Sequence, residues 1–166
     1  QFDHQLSVED LEKAVNDLCV QLKKELTTYN CVIFFATSAV DFPGLQTLLH
    51  QKFPAAQIIG TTTSGEITVK GFTTNTVVLN AISDSQTSYS AVLVDEANKF
   101  PIISKDKVIS AAKKAGINLS DPDIHKNSFA ISLICGLKNI EEGFLSMFYS
   151  LVQDKKFLVC GGTAGD

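Results

Sequence analysis

Gln57-Ile58-Ile59-Gly60-Thr61-Thr62-Thr63-Ser64-Gly65-Glu66 is the stretch on which the fold of this chain turns. The apolar pair Ile58-Ile59 predicts the end of a buried strand. The run then breaks at Gly60 into four consecutive hydroxyl residues, a second glycine and a carboxylate. A glycine at each end lets the backbone take a positive φ or approach another group closely. Hydroxyls beside a strand end donate and accept hydrogen bonds without carrying charge. That is the chemistry of a polar shelf, and in open α/β sheets ligands sit at the carboxyl ends of the strands. The competing reading is a plain turn whose Thr and Ser satisfy their own backbone.

Upstream, Cys31-Val32-Ile33-Phe34-Phe35-Ala36 is a continuous apolar run, suited to a central strand covered on both faces. It ends in the small, polar segment Thr37 to Asp41. Asp41 and Pro43 then start a short helix, with Leu45, Leu48, Leu49 and Phe53 on one face and Pro54 closing it. Strand–helix–strand makes parallel neighbours. The segments Thr37 to Asp41 and Gly60 to Glu66 therefore emerge on the same edge of the sheet, and Ser38 and Thr61 to Thr63 are expected to line one concave surface.

The flanks fill in the rest. Gln1 to Leu6 reads as a lead-in and Ser7-x-x-Asp10 as a helix cap. Leu11, Ala14, Val15, Leu18, Cys19, Leu22 and Leu26 then recur at the spacing of a helix of about five turns. Ile67 to Val69 predicts a short strand, Thr76 to Ile82 a strand, and Thr87 to Val94 another, with Ser83 to Gln86 as a hairpin turn. Ser104 is expected to cap a helix carrying Val108, Ile109, Ala112 and Ala115, stopped by Gly116. Phe129 to Cys135 reads as a buried strand. Asn139-x-x-Glu142 caps a last helix with Ile140, Phe144, Met147, Phe148 and Leu151 inside, and Lys155 and Lys156 suit its C-terminal end. Phe157 to Cys160 is the final strand, running into the glycine-rich turn Gly161 to Asp166. The expected class is α/β: a mixed, mostly parallel sheet with an antiparallel hairpin and helices on both faces, in one domain over residues 1–166. A sheet element followed by such a turn is a poor terminus, and the first residue is Gln, so a processed or excised chain that natively continues is expected.

Composition limits the function. At 166 residues the chain has the length of one domain. With 45% apolar and 19% charged residues it is globular, not disordered. No apolar run nears the roughly 20 residues of a membrane-spanning helix, and no secretory leader is visible. The net charge is −4 and every basic residue is lysine. Nucleic acid is therefore excluded as a partner for want of a clustered basic face, and no bidentate guanidinium fork is available for an anion. Cys19, Cys31, Cys135 and Cys160 show no CxxC spacing and read as reduced, mostly buried thiols of a cytoplasmic protein. No zinc spacing occurs, and Gly60 to Gly65 lacks the order of a P-loop.

The candidate chemistries are few. Glu66 could accept a ligand ammonium, cap a local N–H or face solvent. Asp41 reads as a helix cap more than as a binding group. Cys135 and Cys160 each precede a glycine at a strand end, but a nucleophilic thiol needs a base, and none of His4, His50 and His125 stands at a strand end.

Ile59-Gly60-Thr61-Thr62-Thr63-Ser64-Gly65-Glu66-Ile67, then Gly71, Val77-Val78-Leu79 and the closing Gly161-Gly162-Thr163-Ala164-Gly165-Asp166 resemble the FIST N-terminal domain. The resemblance covers nearly the whole chain. It implies an intracellular sensory module, the N-terminal half of a two-part FIST unit. A C-terminal FIST portion and a fused or associated signalling output (a kinase, a cyclase or a chemotaxis receptor) are the partners it implies. The implied ligand is a small molecule such as an amino acid, and some members are reported to bind haem. Through it, Ser38, Gly60, Thr61, Thr62, Thr63, Ser64, Gly65, Glu66, Gly161, Gly162 and Thr163 are the expected ligand contacts, with no catalytic residue and no metal ligand. The rival classes are a cysteine-dependent enzyme of small-molecule acyl chemistry and a protein-interaction domain without ligand.

Overall fold

The computed structural model describes residues 8–69, 71–95, 101–136 and 140–164. The lead-in, the expected caps Ser7 and Asn139, His4, and the end at Gly165 and Asp166 lie outside the described residues. The chain forms two compact units, residues 1–89 with 166, and residues 90–165.

In the first unit, α1 (Val8–Val20) buries Leu11 and Val15. It is shorter than its apolar spacing predicts. Gln21 and Leu22 donate to Leu18 and Cys19, three residues back, so the last turn tightens. The Lys24 N–H goes to the Tyr29 hydroxyl at 3.3 Å. Leu22 and Leu26 leave the helix yet still pack on the core. β1 (Cys31–Thr37) is central, as expected, in the order β2-β1-β5. α2 (Phe42–Lys52) starts with Pro43 in its first turn. Asp41 stands at its N-cap but makes no side-chain cap bond; its carbonyl oxygen accepts from Leu45 at 2.9 Å. Leu45, Leu49 and Phe53 are fully buried, and with Leu11, Val15 and Val32, Phe34 and Ala36 of β1 they make one cluster.

β2 (Gln57–Thr63) corrects the reading of the central stretch. The strand does not stop at Ile59. Gly60, Thr61, Thr62 and Thr63 pair in parallel with Phe34, Phe35, Ala36 and Thr37. Gly60 is required for packing, not for a turn: a Cβ there would lie 2.3 Å from the Phe34 ring. Only Ser64 and Gly65 separate β2 from β3 (Glu66–Thr68), which forms an antiparallel hairpin with β4 (Gly71–Thr73), a strand absent from the sequence reading. β5 (Val77–Ile82) returns antiparallel to β1.

The strand expected over Thr87 to Val94 does not form; those residues carry no regular structure. The Asp84 carboxylate takes the Gln86 N–H and the Thr87 hydroxyl, while Asn30 binds the Asp84 main chain through both its amide atoms. The turn is thus held to the start of β1, and β5 takes β1 as its antiparallel partner in place of a hairpin.

In the second unit, α3 (Pro101–Lys114) begins three residues before Ser104, because proline suits the first helical position. Ser104 is buried within the helix and is no cap. Ile109 lies open rather than in the core. β6 (Phe129–Cys135) and β7 (Leu158–Ala164) pair in parallel, and α4 (Glu141–Tyr149) falls between them in sequence. Lys155 and Lys156 lie past the end of α4, in the turn before β7. The core is Val108, Ile124, Met147, Phe148, Val152 and Phe157, with the Phe148 and Phe157 rings 5.9 Å apart.

Two expectations change here. β6 is not a strand buried on both faces, since Phe129 is 57% and Ile131 39% exposed. Nor is Gly161 to Thr163 a turn: it continues β7 against Ser132, Leu133 and Ile134. Gly161 has φ +146°, and a Cβ there would sit 1.9 Å from the Ser132 carbonyl oxygen.

Three glycine substitutions separate these causes. G60A should destabilise by about 1–3 kcal/mol, because the displaced Phe34 ring is in the core. G161A should cost at least as much, since its obstacle is backbone at a φ that side chains avoid. G65A should stay within about 0.5 kcal/mol, as its nearest obstacle is the exposed Phe72 ring, which can swing away. Urea denaturation of the three variants gives the ranking.

Candidate functional site

The carboxyl ends of β1 and β2 lie side by side, Thr37 against Thr63. Alternation along a strand divides the hydroxyl run. Thr61 and Thr63 share a face with Thr37, whereas Gly60 and Thr62 share the face of Phe34 and Ala36. Thr61, Thr62 and Thr63 therefore do not line one surface. Ser38, in the turn after β1, and Ser64, after β2, are both exposed.

Glu66 is 3% exposed, so it neither faces solvent nor reaches outward to a ligand. Its Oε1 accepts the Thr63 hydroxyl at 2.7 Å and its Oε2 accepts that of Thr76. Thr73 bonds the Glu66 carbonyl oxygen at 3.2 Å and the Thr76 hydroxyl at 3.0 Å. An ionised carboxylate only accepts. Thr63 and Thr76 thus spend their protons on Glu66, and Thr73 has one proton to share between its two partners. Beside this cluster, Thr37 donates to the Asn75 side-chain oxygen at 3.3 Å, and Asn75 takes φ +56°. The carboxylate ties the end of β2, the β3–β4 hairpin and the approach to β5 into one knot. The sequence pointed to Glu66 and Thr63 but not to Thr73, Asn75 and Thr76. The signal available was a second hydroxyl-rich run, Thr73-Thr74-Asn75-Thr76, starting twelve residues after the start of the first.

Glu66→Ala would leave the Thr63 and Thr76 hydroxyls without their acceptor and should cost about 1–3 kcal/mol. Glu66→Gln should cost less, because the amide keeps one acceptor and a hydroxyl can turn to accept from its NH₂. Guanidinium unfolding of both variants checks the order.

Gly161, Gly162 and Thr163 lie exposed on β7 in the second unit. Cys135 and Cys160 are likewise exposed, against expectation, while Cys31 is buried; all four thiols are unpaired. Burial pushes the Cys19 and Cys31 thiols up. Cys160 donates to the Ala130 carbonyl oxygen at 3.4 Å, and among the described residues no hydrogen bond joins Cys135 or Cys160 to a histidine.

His125 is committed elsewhere. Its Nδ1 and its backbone N–H both meet Oδ2 of the buried Asp154, and the Lys156 N–H reaches Oδ1 at 2.9 Å. Burial pushes the Asp154 carboxyl up, but the His125 and Lys156 N–H groups, the His125 ring bond and its charge outweigh this and hold it down at about 2. A groove of about 390 Å³ lies between α3, residues 117–120 and Leu151. Neither His50 nor His125 lines it, so its residues offer no axial nitrogen of the kind haem iron takes. The described residues hold no cluster of three metal-ligating side chains, and none of their helices is long and apolar enough to cross a membrane.

The lowered carboxyl sets a pH dependence. Asp154 should stabilise the fold fully above its unfolded pKa of about 4. That contribution should be lost as pH falls through about 2. D154N should be less stable at neutral pH and should show a shallower loss of stability between about pH 4 and about pH 2. Urea midpoints collected across that range test both.

No curated protein matches the chain. The model of one family does, that described as the FIST N domain, over residues 30–166. The match begins at the residue before β1, takes in both hydroxyl runs and extends through β7. Because it covers most of the chain, this protein belongs to the FIST N domain family.

Proposed function

We propose that this domain is the ligand-binding N-terminal half of a two-part cytoplasmic sensory module, taking a small polar ligand such as an amino acid. Membership of the FIST N domain family carries the reading, because that family is one of sensory domains of signalling proteins, not of enzymes. The rim of the β1 and β2 ends supports it chemically. Ser38 and Ser64 offer uncharged donors and acceptors at the carboxyl ends of two parallel strands, and Thr61 and Thr63, whose protons go to the Thr62 carbonyl oxygen and to Glu66, offer acceptors. Glu66 acts beneath that rim as a support for Thr63. Signal would pass to a C-terminal FIST portion and then to a kinase, cyclase or chemotaxis receptor, through a ligand that binds one of two arrangements more tightly.

A second reading, a protein-interaction domain without small ligand, rests on the exposed apolar residues Phe129, Ile131 and Leu158 of β6 and β7. The two separate on one experiment. Calorimetric titration with a panel of amino acids, on this chain and on a longer chain carrying a C-terminal FIST portion, should give saturable binding that is tighter in the longer chain. S38A combined with T61A should weaken it about tenfold, the loss of one or two hydrogen bonds. If no amino acid binds either chain, the second reading replaces the first.

A further inference from the structure

The groove in the second unit is built by the way α3 stops. Gly116 takes φ +76°. Its N–H reaches the Lys113 carbonyl at 3.0 Å, and the Ile117 N–H reaches that of Ala112 at 2.9 Å. This pair of bonds is the Schellman arrangement, which turns the residue after the glycine back onto the last helical turn. Ile117 is thereby set against the same stretch of α3 that carries Ile109 and Lys113, one turn apart on one face. The opposite wall is equally fixed. Asn118 Oδ1 accepts the Ser120 N–H at 3.1 Å, and the Leu119 carbonyl oxygen accepts the Gln153 N–H at 3.2 Å.

The lining is Ile109, Ile117, Leu119 and Leu151, with Lys113, Asn118 and Ser120. Ile109 is 45% exposed, a large aliphatic side chain left open beside this hollow. Among the described residues Lys113 is the only charged one in the lining, and it makes no ion pair. An anion near a helix C-terminus meets an unfavourable dipole. Here the Ala112 and Lys113 carbonyls already accept hydrogen bonds, and the ammonium supplies the local attraction.

From this geometry we infer that the groove is a binding site for a small aliphatic carboxylate, its chain along Ile109, Ile117, Leu119 and Leu151 and its carboxylate at Lys113. Four apolar walls with one cation and two amide or hydroxyl groups are complementary to a body of that kind, and about 390 Å³ accommodates one of medium length. The site is built from residues of the second unit alone and does not depend on the contacts proposed on β1 and β2.

Octanoate, octanol and octylamine serve as probes on the 166-residue chain, followed by amide chemical shifts. Octanoate should give saturable shifts confined to residues 109–120 and to Leu151, with a Kd of about 1 mM. Octanol should bind about threefold more weakly, the worth of one exposed charge pair, and octylamine more weakly still. K113Q should bring octanoate down to the level of octanol and leave octanol unchanged, since Lys113 is exposed and its loss spares the fold. I109S should weaken both. Equal octanoate binding by wild type and K113Q, shifts outside the groove, or no saturable shift would overturn the assignment.

Discussion

The first unit depends on the contact between the Phe34 ring and the bare backbone at Gly60. β1 and β2 run parallel with those two residues paired, and the ring takes the space in which any other residue at position 60 would hold its Cβ. Parallel neighbours need a crossover between them. α2 supplies it, with Leu45, Leu49 and Phe53 packed in the same cluster as Phe34. The Phe34 ring also meets Phe42 at 5.4 Å, so one aromatic side chain joins the strand pair to the start of the helix that connects them. A missing side chain is here a packing requirement, much like a small residue opposite a large one in any close-packed core.

Register follows from that pairing, and the polar knot follows from register. With Phe34 beside Gly60, Thr37 falls beside Thr63, and Thr63 is placed to donate to Glu66. A carboxylate taken from water needs its acceptors filled. Hydroxyls fill them here, with no lysine or histidine paired to it among the described residues. This consumes the group that looked most like a ligand's partner. Ser38 and Ser64 remain exposed at this edge, as does the Asp41 side chain at the start of α2.

The second unit shows the same economy with a different acid. Asp154 collects N–H groups from His125 and Lys156, and this joins the segment before β6 to the turn before β7. The histidine nearest to being chemically useful is thereby fixed as a structural donor. Cys135 and Cys160 sit exposed on β6 and β7, and the Cys160 thiol is bonded to the Ala130 carbonyl oxygen.

The apolar pattern alone determined most of the elements. Cys31 to Ala36 and Phe129 to Cys135 read directly as strands because they are short, nearly continuous apolar runs, and Leu45, Leu49 and Phe53 read as one helix face because burial on a helix repeats every 3.6 residues. The pattern of elements also determined the α/β class, and the two glycine and hydroxyl segments determined the family. Tertiary structure decided what those segments are. Gly60 to Thr63 and Gly161 to Thr163 have turn-like composition, yet both are strand, because each lies beside a neighbour whose ring or carbonyl fills the place of a Cβ. Local propensity carries no record of that neighbour. The Thr87 to Val94 stretch fails in the opposite sense: it alternates like a strand, but Asn30 and Asp84 hold its entry to β1. Glu66 was visible as a residue and invisible as a hub, since Thr73 and Thr76 reach it only once the β3–β4 hairpin has folded back, and contacts of that kind depend on pairing rather than on spacing.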